Sequence, residues 1–147
     1  MAILKHEFYE GAALHQLARN GEVVSIRNDP PFFLINNRFL IHLKYSTKGR
    51  SPWGFTFAVD EQVMLAQRAD KCKLVIGLVC GADGIVTVGY ERYRSMVKCE
   101  DSAVHISCYR KHGQHYSVAG PNGILDNKVP PSRWHRLLEN QANDETL

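Results

Sequence analysis

The chain of 147 residues lacks an apolar run approaching ~18–20 residues, so no membrane-spanning helix and no membrane partner are expected. Its cysteines number four (Cys72, Cys80, Cys99, Cys108), none in CxxC spacing, which excludes a disulfide-dense secreted scaffold. No segment is repetitive or polar enough for a low-complexity tail, and 44% apolar residues exclude intrinsic disorder. The opening MAILKHEFYEGAALHQLARNG carries acidic residues and no apolar signal core, against a cleaved export peptide. These absences together lead to the expectation of a reduced, cytoplasmic protein. Neither GxSxG nor GxxxxGK[ST] occurs; the turn GADG at Gly81–Gly84 lacks the length and lysine of a phosphate loop.

What is present is enough apolar sequence for one core, with no internal repeat and no linker. Leu4, Phe8, Ala12, Leu14, Leu17 and Ala18 recur at helical spacing and predict a helix from Leu4 to Asn20, with Gly11 marking close packing on a strand. Val23–Arg27 alternates like a strand, and Asp29-Pro30-Pro31 interrupts it. Phe32–Asn36 and Phe39–Tyr45 read as a hairpin turning at Asn36-Asn37-Arg38. Leu40, His42 and Lys44 then share one strand face.

A short strand, Phe55–Phe57, precedes a helix capped by Asp60 and ending near Ala69, with Val63, Met64 and Ala66 offered for burial. The run LVIGLVC, Leu74–Cys80, has the pattern of a strand covered on both faces, returning through Gly81–Gly84 into Ile85–Val88. Tyr90–Val97 suits a short helix, Ala103–Tyr109 and His115–Ala119 form a second hairpin, and Ser132–Asn140 a terminal helix. The fold class is α+β, a mixed and mainly antiparallel central sheet flanked by helices, with one domain over 1–140 and a polar C-terminal tail over 141–147.

Charge is uneven although the net value is only +3. Between Asp29 and Asp60 there is no acid, while Arg38, Lys44, Lys48 and Arg50 stand near Tyr45 and Trp53. A second acid-free stretch, Asp101 to Asp126, carries Arg110, Lys111, His112 and His115. If the two meet, they make a basic face on which cations contact phosphates and Trp53 stacks on a base. Cys99, Cys108, His112 and His115 lack the paired cysteines of a structural zinc knuckle, so Cys80 and Cys108 are expected as buried thiols.

The segment NNRFLIHLKYSTKGRSPWGFTF, Asn36 to Phe57, resembles the core of the PD-(D/E)XK, or restriction-endonuclease-like, nuclease superfamily. Over roughly residues 4–89 the order matches: Glu10 on the first helix, Asn36 or Asn37 at the aspartate position, His42-Leu43-Lys44 at the acid-x-Lys triplet, Ser46 and Thr47 after the lysine, then Trp53, Phe55 and Phe57. The resemblance implies a restriction-endonuclease-like core. It departs from the family where the metal would bind. Asparagine and histidine replace two carboxylates, and a hard Mg²⁺ ion prefers oxygen anions. The expectation is a nucleic-acid-binding domain with a degenerate catalytic site, using Arg38, Lys44, Lys48, Arg50, Trp53, Arg110 and Lys111, and no cofactor. Two alternatives stand: a Mg- or Mn-dependent nuclease or phosphodiesterase using Glu10, Asn36, His42 and Lys44, and a protein-interaction module, homodimeric or with another partner.

Overall fold

The computed structural model describes residues 1–98 and 101–139. Cys99, Asn140 and the tail at 141–147 lie outside the described residues. Helix α1 (Lys5–Ala18) opens the chain and buries Ala13 and Leu17, one turn apart, with Tyr9 and Leu14 beside them. The predicted stripe is therefore rotated: Phe8 is 61% exposed, because the face toward the sheet is set by Tyr9 stacking on Tyr45 with centroids 4.7 Å apart. Gly11 has no neighbour within 4 Å of a Cβ and marks no close approach.

Strands β1 (Ile26–Asp29), β2 (Phe32–Ile35) and β3 (Phe39–Ser46) form an antiparallel meander. The turn between β2 and β3 holds Asn36 and Asn37 at φ near 55°, a left-handed conformation that asparagine tolerates. β1 begins later than predicted because the Asn36 amide holds the preceding loop: its Oδ1 accepts from Val24 N–H at 2.7 Å, and its Nδ2 donates to the Glu22 carbonyl at 2.9 Å.

β4 (Trp53–Phe57) and α2 (Val59–Ala69) then lead to β5 (Lys73–Cys80), which pairs with β3 in parallel. β6 (Gly84–Gly89), α3 (Tyr90–Met96), β7 (Val104–Tyr109), β8 (Ser117–Gly120) and β9 (Gly123–Ile124) complete the elements. The first sheet runs β1-β2-β3-β5-β6, with β3–β5 its one parallel pair, which gives the expected α+β, mainly antiparallel mixed sheet flanked by helices. A second antiparallel sheet, β4-β7-β8-β9, was not foreseen. No helix among the described residues is long and apolar enough to cross a membrane.

Alternation along β3 and β5 distributes the core. Ile41, Val75 and Val79 face α1 and the C-terminal residues Trp134, Leu137 and Leu138. Leu40, Ile76 and Leu78 face the second sheet, Leu65 of α2, and Tyr93 and Met96 of α3. In α2 burial falls on Leu65, while Val63 and Met64 are exposed. Nor is Asp60 its cap: Ala58 holds that position, and the Glu61 carboxylate reaches back to the Ala58 N–H at 3.1 Å. The predicted terminal helix is replaced by one 3₁₀ turn, Pro131–Arg133, and further turns, anchored where the Trp134 indole N–H donates to the Ala13 carbonyl at 2.9 Å.

Gly77 lets the Trp134 ring approach β5 closely. A Cβ there would stand 2.8 Å from the indole ring and 2.8 Å from Leu43 Cδ2. Gly77→Ala is expected to lose roughly 1–3 kcal/mol by overpacking a rigid ring, read as a lower urea midpoint at unchanged slope.

Candidate functional site

His42 and Lys44 point from β3 into the space beneath α2, on the face that carries Leu40. Left alone, an ammonium and an imidazole beside Phe32 and Phe57 would cost several kcal/mol in desolvation. The first turn of α2 supplies their counter-charge. Glu61 Oε2 lies 2.6 Å from His42 Nε2, and Lys44 Nζ donates to Glu61 Oε1 and Oε2 at 3.0 and 2.9 Å. Lys44 also donates to the Thr56 carbonyl at 2.7 Å and sits 4.9 Å from the Phe57 ring centroid. His42 Nδ1 faces the Pro31 carbonyl at 3.3 Å. Both ring nitrogens thus face oxygen atoms of other segments.

Burial opposes the charge on Glu61, but hydrogen bonds from His42 and Lys44, and their positive charges, outweigh it and hold the carboxyl below its usual value. Sequence reading missed Glu61. Its signal was the placement of two cationic side chains on a core-facing strand, which needs a carboxylate from another element.

Of the site residues expected together, Glu10 and His42 share a cavity, while Asn36 and the remaining cations lie elsewhere. Glu10 borders a cavity of about 540 Å³ with His6, Glu7, Phe33 and His42, and burial raises its carboxyl's proton affinity, with His6 opposing. Asn36 belongs to the opposite end of the β2–β3 ladder, since His42 pairs with Phe32 and Phe39 with Ile35. Its amide is spent on the loop before β1, so it takes no part beside Lys44. Asp29 is paired with Arg68, and Glu7 accepts from the Leu4 N–H at 2.8 Å. Among the described residues no three His, Cys, Asp or Glu side chains converge to hold a cation. Glu61, the nearest carboxylate to Lys44, is committed to two cations. The donor set does not fit Mg²⁺ or Mn²⁺.

A separate place is the far end of β3. Ser51 Oγ donates to the Arg110 carbonyl at 3.2 Å, so the β3–β4 loop and the β7–β8 turn meet. Arg50, Arg110 and His112 border a cavity of about 350 Å³ there. Gly81 makes the junction possible: its φ is +55°, and a Cβ would stand 2.4 Å from the Lys48 carbonyl oxygen. Asp83 is the carboxylate in this cavity, and it takes hydrogen bonds from Arg110 Nε at 2.7 Å and the Tyr116 hydroxyl at 2.6 Å. Lys48 donates to the Pro52 carbonyl at 2.9 Å. Arg50 and Lys111 are exposed and have no hydrogen-bond or ion-pair partner among the described residues.

Two expected contacts fall away from this end. Trp53 is 2% exposed, with its indole N–H donating to the Lys48 carbonyl at 2.9 Å, and its ring cannot stack on a base. Arg38 lies over Phe39 at the start of β3, roughly 25 Å away at the rise of an extended strand. Cys80 and Cys108 are buried free thiols where the two sheets face; Cys80 Sγ donates to the Leu78 carbonyl at 3.6 Å, and the neighbouring Cys108 together with burial pushes the Cys80 thiol up.

No protein-family model, curated protein or solved structure matches the chain.

The Glu61 cluster has a pH signature. A carboxyl whose value is lower folded than unfolded stabilises the fold above its unfolded value, and that contribution disappears as pH falls through the folded one. Glu61→Gln should therefore lower stability at neutral pH by roughly 1–3 kcal/mol and flatten the acid limb of the stability curve. Urea titrations between about pH 2 and 7 measure both, across the usual carboxylate range.

Proposed function

We propose that this protein binds nucleic-acid strands through the cationic end built by the β3–β4 loop and the β7–β8 turn. The Lys44 strand, on this reading, is a catalytically degenerate structural clamp. The observation that carries the proposal is the Ser51–Arg110 contact, which unites the two acid-free stretches. Lys48, Arg50 and Lys111 then project from one end, and Asp83 there is neutralised by Arg110. Phosphates are the natural counter-ions for exposed cations whose neighbouring carboxylate, Asp83, is already occupied. Lys44 is excluded from this role because its ammonium already faces three acceptors.

Glu61 is committed to His42 and Lys44, and no acid set converges around Lys44 among the described residues, which favours binding without cleavage over the metal-dependent phosphodiesterase reading. Order from Glu10 to Phe57 still resembles a nuclease core, with Glu61 rather than the triplet's first residue facing the lysine.

Fluorescence anisotropy with labelled single- and double-stranded oligonucleotides tests the proposal. Three phosphate contacts give a log–log salt slope of about −2.7 on duplex DNA and roughly −2.1 on a single strand. The double substitution Arg50→Ala, Lys111→Ala should reduce the duplex slope by about 1.8, while Arg38→Ala leaves it unchanged. Absence of salt-sensitive binding, together with concentration-dependent self-association, would replace this reading with a protein-interaction module. Mn²⁺-dependent cleavage abolished by Lys44→Ala would restore the nuclease.

A further inference from the structure

The second sheet turns one face to the core and the other to solvent. Alternation sends Phe55, Phe57, Ile106 and Cys108 inward. It leaves Gly54 and Thr56 of β4, and His105, Ser107 and Tyr109 of β7, on the outer face. None of these side chains is acidic. Tyr109 is 45% exposed, and its ring and hydroxyl have no partner among the described residues. His105 is exposed and rests on β4: a Cβ at Gly54 would stand 2.5 Å from its Cε1 and 2.7 Å from its Nε2. Its Nδ1 lies 3.5 Å from the Thr56 hydroxyl oxygen. The missing side chain at position 54 thus lets the imidazole settle on the sheet with its other side open to solvent.

This face adjoins the cationic end. Tyr109 is the last residue of β7, and Arg110 and Lys111 follow it directly. The Ser51–Arg110 contact fastens the loop that carries Arg50 to the same place.

We propose that the outer face of the second sheet is a base-stacking platform, so that the substrate class of the cationic end is single-stranded nucleic acid. Tyr109 and His105 stack on two bases of a strand whose phosphates meet Arg50 and Lys111. This rests on the reading of that end as a nucleic-acid site and narrows it. Cations alone do not distinguish a duplex from a single strand, because both present phosphates. Aromatic side chains do, since unpaired bases offer their faces and bases inside a duplex are covered by their neighbours.

The spacing fits such a role. Tyr109 and His105 are four residues apart on one face, about 13 Å along an extended strand, so each ring serves a different base. Between them stands Ser107, in register with Gly54 on one side and Ala119 on the other. No bulky side chain there holds a strand away from the rings. The stacking role expected of Trp53 passes to Tyr109 for a reason of pleat: Trp53 pairs with Cys108 and both face the core, while the next residue of β7 faces out.

Fluorescence anisotropy at fixed ionic strength would compare a labelled oligodeoxyadenylate, a duplex of equal length and an abasic deoxyribose-phosphate chain of equal length. The single strand should bind about tenfold more tightly than the abasic chain, which keeps the phosphates and lacks the bases. Tyr109→Ala and His105→Ala should each weaken single-strand binding about tenfold without changing its salt slope, because no phosphate contact is lost. Tyr109→Phe keeps a ring and should retain the affinity. Salt-sensitive binding that is equal for all three probes, or single-strand affinity unchanged by Tyr109→Ala, would overturn the platform and leave the cationic end standing. No salt-sensitive binding of any probe would overturn both. Self-association abolished by Tyr109→Ala, without oligonucleotide binding, would also overturn the platform and reassign this face to a second copy of the chain.

Discussion

β5 offers no polar side chain between Leu74 and Cys80, and it lies parallel to β3. Both facts constrain the remainder of the molecule. An apolar strand with two buried faces needs a layer on each side, provided by α1 with the C-terminal turns and by the second sheet with α2 and α3. A parallel neighbour cannot follow through a hairpin, so the chain must cross over between β3 and β5. That crossover is β4 and α2, and it lays the first turn of α2 over His42 and Lys44. The Glu61 cluster is thus a consequence of the topology as much as of its own charges.

Electrostatics then divides the cations of this chain into two populations. Lys44, Arg68 and Arg110 are bound to Glu61, Asp29 and Asp83, and their charge is consumed in holding elements together. Arg50 and Lys111 are not so bound among the described residues, and the loop contact at Ser51 and Arg110 brings their segments to one end. A net charge of +3 conceals this arrangement, because pairing removes cations from the surface unevenly.

Local sequence made several elements legible. Asn36-Asn37 has the side-chain chemistry of a left-handed turn, so the β2–β3 hairpin and its facing set Leu40, His42, Lys44 could be placed by alternation. LVIGLVC could be read as doubly covered because no polar residue interrupts it. The second sheet was not legible. Its strands β4 and β7 are separated by α2, β5, β6 and α3, and no periodicity reports a pairing across that distance. The terminal helix was misread for a related reason: Leu137 and Leu138 are apolar at helical spacing from Trp134, but their burial is set by docking against α1 and β5, and turns achieve it.

The amino-acid order by itself determined which segments are extended, where the chain turns, and which side chains of β3 face together, since these depend on steric preferences and a period of two. Tertiary structure alone decided which charges stay available. Whether a lysine meets phosphate or a carboxylate depends on what packs within about 4 Å of it, where Coulomb attraction and desolvation are large. For Lys44 that neighbour is Glu61, from the helix that the parallel strand pair obliges the chain to build.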